Sequence, residues 1–99
     1  VPLPAATGLD GYATALDRGL EAISSFAPDA PLVLSLGFDT FELDPIGDLA
    51  LRTADYHALG RMVAGSGLPI VVLQEGGYAI DAIGANARAF LRGLRGEDD

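Results

Sequence analysis

Tyr12, Leu16, Leu20 and Ile23 recur at helical spacing behind Thr7-Gly8-Leu9-Asp10, a stretch with the form of a capping box in which Thr7 is the N-cap. Phe26 extends the apolar stripe and Pro28 ends it, so the spacing predicts a helix over about residues 10–27 with one face for burial. Leu32-Val33-Leu34-Ser35-Leu36 is short, almost wholly apolar and closed by Gly37, the composition of a strand buried on both faces. Thr53 fits the N-cap of a second helix, with Asp55 favourable near its positive end and Tyr56, Leu59 and Val63 on its buried side. Gly65 and Gly67 close it. Pro69-Ile70-Val71-Val72-Leu73 repeats the buried-strand composition, and Gln74-Glu75-Gly76-Gly77-Tyr78 follows as a tight glycine turn. A third helix is predicted over about residues 80–94, with Ile83, Ala87, Phe90, Leu91 and Leu94 inward and Arg88, Arg92 and Arg95 outward or near its negative end. The tail Glu97-Asp98-Asp99 is expected to fray.

Helix, strand, helix, strand, helix is an α/β layer whose two strands are parallel neighbours joined by a right-handed crossover. Parallel strands occur in larger sheets with helices on both faces, so two of them imply a bigger unit. Two sources of that unit are open: an upstream part of the same domain, or several copies of the chain associating through strand edges. Residues 37–52 form a long acidic connection without periodicity, containing Asp44-Pro45 and Gly47.

With 99 residues, 49% of them hydrophobic, the chain has room for one small packed domain. Fourteen acidic residues against six basic ones give a net charge of −8, which argues against nucleic acid or an anionic membrane as partner. The charge is uneven: residues 1–50 carry eight acids against Arg18 alone, residues 51–99 six against five arginines. No cysteine is present, which removes disulfides, a thiolate nucleophile and sulfur-ligated metal. No apolar run approaches a membrane span, and Val-Pro-Leu-Pro lacks the regions of a signal peptide, so a cytoplasmic location is the default expectation.

The most unusual residues stand just past the two strands. Asp39 lies three positions beyond Leu36 and Tyr78 five beyond Leu73. Parallel strands bring those ends to one edge, where open α/β sheets bind their ligands, and a strand spacing of roughly 5 Å puts both residues within reach of one small molecule. Asp39 reads either as a loop carboxylate capping nearby amides or as a ligand-facing group. Tyr78 reads either as a half-buried aromatic tethered by its hydroxyl or as a hydrogen-bond donor to a substrate. Gly76 and Gly77 make a turn and also let backbone approach a ligand closely. Glu75 is expected to bond the turn, Asp44 to hold the acidic loop as a turn former, and His57, the single histidine, to have no catalytic role.

The segment Leu34-Ser35-Leu36-Gly37-Phe38-Asp39-Thr40-Phe41-Glu42-Leu43-Asp44-Pro45-Ile46 resembles the zinc-ligand segment of histone deacetylase-like enzymes, and Glu75-Gly76-Gly77-Tyr78 resembles their catalytic-tyrosine turn. Leu51-Arg52-Thr53-Ala54-Asp55-Tyr56 and the opening Pro2-Leu3-Pro4 fit the same family, with the likeness running over residues 1–94. Thr40-Phe41, where class II histone deacetylases usually have Ala-His, makes the acetylpolyamine amidohydrolase branch the closer match. The resemblance implies an arginase/deacetylase-like parallel sheet with flanking helices, two strands and three helices of which are present. It implies that Asp39 is one carboxylate ligand of a catalytic Zn2+, that Tyr78 donates its hydroxyl to the substrate carbonyl, and that Gly76 and Gly77 line the acyl channel. An acetylated polyamine or a basic peptide carrying acetyl-lysine would be the substrate, drawn by the acidic loop.

The chain also departs from the family. The paired-histidine motif and the Asp-x-His pair that such enzymes carry upstream are absent, and Ala5-Ala6 stands where Pro-Gly is more frequent. A catalytic zinc takes three protein ligands and an open position, so Asp39 alone is not a site. Residues 1–99 are therefore expected to be the carboxyl-terminal part of a zinc-dependent deacetylase domain, inactive on their own. The rival expectation is a non-catalytic α/β binding or assembly module.

Overall fold

The computed structural model describes residues 1–99 as α1 (Leu9–Phe26), β1 (Leu32–Leu36), α2 (Thr53–Ala64), β2 (Ile70–Gln74) and α3 (Ile80–Leu94). The strands pair in parallel with Leu32 opposite Ile70 and Leu36 opposite Gln74, and α2 forms the crossover between them. An isolated bridge between Phe41 and Leu51 closes the base of the acidic loop. No helix is long and apolar enough to cross a membrane.

The core gathers around α2 rather than around the sheet. Its buried apolar members are Phe38, Phe41, Leu51, Tyr56, Leu59, Val63, Ala89 and Phe90. Helices α2 and α3 approach closely because glycines face each other across the contact. A Cβ on Gly60 would stand 2.2 Å from the Phe90 carbonyl oxygen, and one on Gly93 would stand 2.1 Å from that of His57. Ala89 and Gly93, not Leu91, occupy this face, and Leu91 is turned outward at 46% exposure. A Thr53 hydroxyl bond to Asn86 Oδ1 (2.7 Å) adds a polar tether between the same helices.

The helix starts differ from the expected caps. Gly8, not Thr7, precedes α1, because the Thr7 hydroxyl donates instead to the Pro4 carbonyl (2.6 Å). Arg52 occupies the cap position of α2, where its N–H donates to Asp55 Oδ2 (2.8 Å), while Thr53 is already helical. Phe26 is 91% exposed and falls outside the α1 stripe.

Both strands were expected to be buried on each face, and here they alternate. Leu32, Leu34, Leu36 and Ile70 pack against the core, whereas Val33, Val71 and Leu73 are exposed. The helices of this chain cover one face of the sheet, and the period-two alternation of side chains leaves the other face open. The carboxyl-terminal tail is held rather than frayed. Buried His57 bonds the Glu97 carbonyl through Nε2 (2.7 Å), and the Arg92 Nε–H donates to the Asp98 carbonyl (3.0 Å).

Candidate functional site

The strand ladder continues one step past β1 and β2. The Glu75 N–H donates to the Leu36 carbonyl (2.9 Å), and the Phe38 N–H donates to the Gly76 carbonyl (3.3 Å). These bonds bring the segment following β1, with Asp39, against the glycine turn following β2. The side chain that bonds the turn is that of Gln74, whose Nε2 donates to the Gly76 carbonyl (2.9 Å). Glu75, expected in that role, instead places its carboxylate beside Gly37.

Three glycines shape the cradle around Asp39. A Cβ on Gly37 would stand 2.9 Å from Asp39 Oδ1, and one on Gly76 would stand 3.0 Å from Oδ2. Gly47 passes under the Asp39 carbonyl so closely that a Cβ there would overlap it, at 1.8 Å. Gly76 and Gly77 have φ of 65° and 115°, a region that L side chains rarely adopt. At Gly77 a Cβ would also meet Phe38 Cβ at 2.9 Å. Phe38 in turn is buried edge-on against Tyr56, with ring centroids 5.3 Å apart.

Asp44 makes the densest set of polar contacts at this edge. Its Oδ1 accepts from the N–H groups of Ile46 (2.8 Å) and Gly47 (2.9 Å), the expected turn. Its Oδ2 accepts from the Tyr78 N–H at 2.7 Å, a link across 34 positions of chain for which no local pattern is a signal. Burial pushes the Asp44 carboxyl up, but the amides of Gly47, Tyr78, Ile46 and Ala79 outweigh it and hold the group below its ordinary range.

The side chains of the two candidate site residues, Asp39 and Tyr78, take no part in this network. Asp39 accepts no hydrogen bond, and the ion pairs of the chain lie elsewhere, at Asp55 and Glu97. Its role as a cap for nearby amides is thereby removed. Tyr78 is 48% exposed and its hydroxyl has no partner, so no hydroxyl tether exists; its backbone is what is held. Asp39 acts on two phenols nearby, partly buried Tyr12 and buried Tyr56. Tyr12 is raised by burial and by the Asp39 charge. Tyr56 is pushed up to about 12, chiefly by burial, with the Thr40 hydroxyl bond (2.8 Å) opposing and the charges of Tyr12, Asp39 and Asp44 adding.

Asp39 with two free oxygens has the chemistry of a metal ligand, yet no group of three or more His, Cys, Asp or Glu side chains gathers anywhere in the chain. A catalytic zinc needs such a set. By themselves these residues do not fit the ion. His57 is buried on α2 and bonded to the tail.

Open α/β sheets bind their ligands outside the carboxyl ends of their strands, and Asp39 and Tyr78 both follow such ends. Comparison with known proteins makes the class specific. Residues 1–94 match the histone deacetylase domain family. The chain is 45% identical over 95 residues to acetylpolyamine amidohydrolase 1 of Pseudomonas aeruginosa, covering 96% of this chain and 27% of that relative. It is 41% identical to the acetylpolyamine amidohydrolase of Mycoplana ramosa, covering 96% and 28%. The crystal structure of an acetylpolyamine aminohydrolase from Burkholderia pseudomallei superposes with a TM-score of 0.88 at 39% identity, covering 95% of this chain and 27% of that one. The chain belongs to the histone deacetylase domain family. It spans just over a quarter of the length of these relatives.

Proposed function

We propose that these residues form the carboxyl-terminal part of a zinc-dependent deacetylase domain that hydrolyses the amide of acetylated polyamines or acetyl-lysine-like amines. The observation that carries this reading is the pair of unsatisfied groups at one sheet edge: a carboxylate with no donor and a phenol with no acceptor. Asp39 would supply one zinc ligand, the others coming from outside the 99 residues. The Tyr78 hydroxyl would donate to the substrate carbonyl oxygen, where negative charge grows as the amide carbon becomes tetrahedral. Gly76 and Gly77 would line the acyl channel with backbone that carries no side chain of its own. The net charge of −8 suits a cationic amine or a basic peptide as substrate.

The test joins the chain to the part of the Pseudomonas aeruginosa relative that it does not cover. The assembled protein is expected to hydrolyse an N-acetylated polyamine, with Tyr78→Phe lowering kcat on the order of 10²–10³-fold. Asp39→Asn is expected to lower both turnover and zinc content. A cooperatively folded assembly with zinc bound and no turnover would favour a binding or assembly module. In calorimetry the 99-residue chain alone is expected to bind no zinc. Tight binding lost in Asp39→Asn would mean instead that several copies complete the site.

A further inference from the structure

We propose that Asp44 is a positioning residue for Tyr78: its buried carboxylate clamps the tyrosine turn to the acidic loop that carries Asp39, and so fixes where the phenol stands. The inference rests on the reading of Tyr78 as the hydrogen-bond donor to substrate.

The geometry separates the two oxygens by task. Oδ1 alone completes the turn of its own loop, taking Ile46 and Gly47. Oδ2 is not needed for that turn and is spent on the Tyr78 N–H, at 2.7 Å. Asp44 is 7% exposed, so its charge-assisted bonds are poorly replaced by water. Tyr78 needs such an anchor. It follows two glycines with positive φ, its ring is half exposed, and its hydroxyl has no partner, so no polar contact of its own side chain orients it. The bond also places a negative charge at the start of α3, where the exposed amides favour it. One carboxylate thus couples the loop carrying the open Asp39 to the turn carrying the phenol, and sets the two at a fixed separation.

Asp44→Asn tests the division of labour. The amide oxygen can still accept from Ile46 and Gly47, but the NH2 group then faces the Tyr78 N–H, donor against donor. In the 99-residue chain, amide hydrogen exchange followed by NMR is expected to accelerate at Tyr78 by about tenfold or more while Ile46 and Gly47 keep their protection. Equal loss at all three amides, or no change at Tyr78, overturns the proposal. A scalar coupling across the hydrogen bond from Tyr78 N to the Asp44 carboxyl carbon is expected in the unmodified chain, and its absence from a folded chain overturns it without any variant. In the assembled enzyme, Asp44→Asn is expected to lower kcat by about 10–100-fold with KM changed less than about twofold, the signature of a misplaced catalytic group. On a Tyr78→Phe background it is expected to add nothing further, and an additive loss refutes the coupling. Full activity in Tyr78→Phe would instead overturn the catalytic reading of Tyr78 and the positioning role with it, leaving the exchange pattern as a statement about the turn alone.

Discussion

Ala6 is the one non-glycine residue with a positive φ, at 62°, just before α1. It is held there by its N–H bond to the Asp48 carbonyl (2.7 Å), while the next residue accepts from Ala50 N–H through the Thr7 carbonyl (2.9 Å). These bonds fasten the opening segment to the end of the acidic loop, so the conformation is imposed by the fold. An L residue in the left-handed region costs about 1–2 kcal/mol, which glycine does not incur. Against that, glycine loses about 0.4–1 kcal/mol more than alanine in chain entropy on folding. The balance predicts that Ala6→Gly stabilises the chain by about 0.5–1 kcal/mol, or roughly 2–8 °C in Tm for a domain of this size. Ala5→Gly is the control: without a positive φ to relieve, it should destabilise by about 0.4–1 kcal/mol. Thermal melts by circular dichroism and urea titrations with unchanged m-value measure both. A destabilised Ala6→Gly, or the same sign for both variants, would refute the reasoning.

Gly93→Ala drives a Cβ into the His57 carbonyl and should cost about 1–3 kcal/mol or more as α2 and α3 separate, whereas exposed Gly84, with open space around it, should gain about 0.5–1 kcal/mol on becoming Ala; urea melts of the pair decide. Tyr56 has its folded pKa raised to about 12, so it favours the protonated folded state, and its contribution is fully present below pH 10 and lost as pH rises from 10 to 12. Stability should therefore fall across that window, and the fall should shrink in Tyr56→Phe. Asp44 has the opposite sign: its folded pKa is depressed, so its contribution is present above the ordinary carboxylate range and lost as pH falls through and below it. Acid titration of stability should be flatter in Asp44→Asn than in the unmodified chain.

The order of elements, the parallel pairing and the α/β class were all legible, because helical and strand periodicities are local and each is bounded by Gly or Pro. The shared edge of Asp39 and Tyr78 followed from topology alone. What sequence reasoning missed depends on distance across the fold. Gly60 and Gly93 look like ordinary weak helix positions until α2 meets α3. Val33 and Leu73 look buried because composition does not reveal how many faces of a sheet this chain covers. Thr7 and Thr53 fit the cap rules, but each hydroxyl found another partner, in the Pro4 carbonyl and in Asn86. The substitution of Ala at position 6 was visible as a departure from the family, and only the positive φ gave it a physical meaning.

Asp39 and Asp44 are five residues apart in one acidic loop and have opposite fates. Amides that point into a strand-end crevice would by default hydrogen-bond whichever carboxylate lies nearest and occupy its lone pairs. Here Asp44 collects those of Ile46, Gly47 and Tyr78, while the Thr40 hydroxyl is engaged with Tyr56. The Phe38 amide is taken by the Gly76 carbonyl. Glycines at 37, 47 and 76 then clear the space around Asp39 without adding a side-chain donor. Its charge adds to the burial that raises Tyr12 and Tyr56. The open carboxylate of Asp39 thus stands beside a saturated neighbour, Asp44, which takes the amides of Ile46, Gly47 and Tyr78 on its own two oxygens.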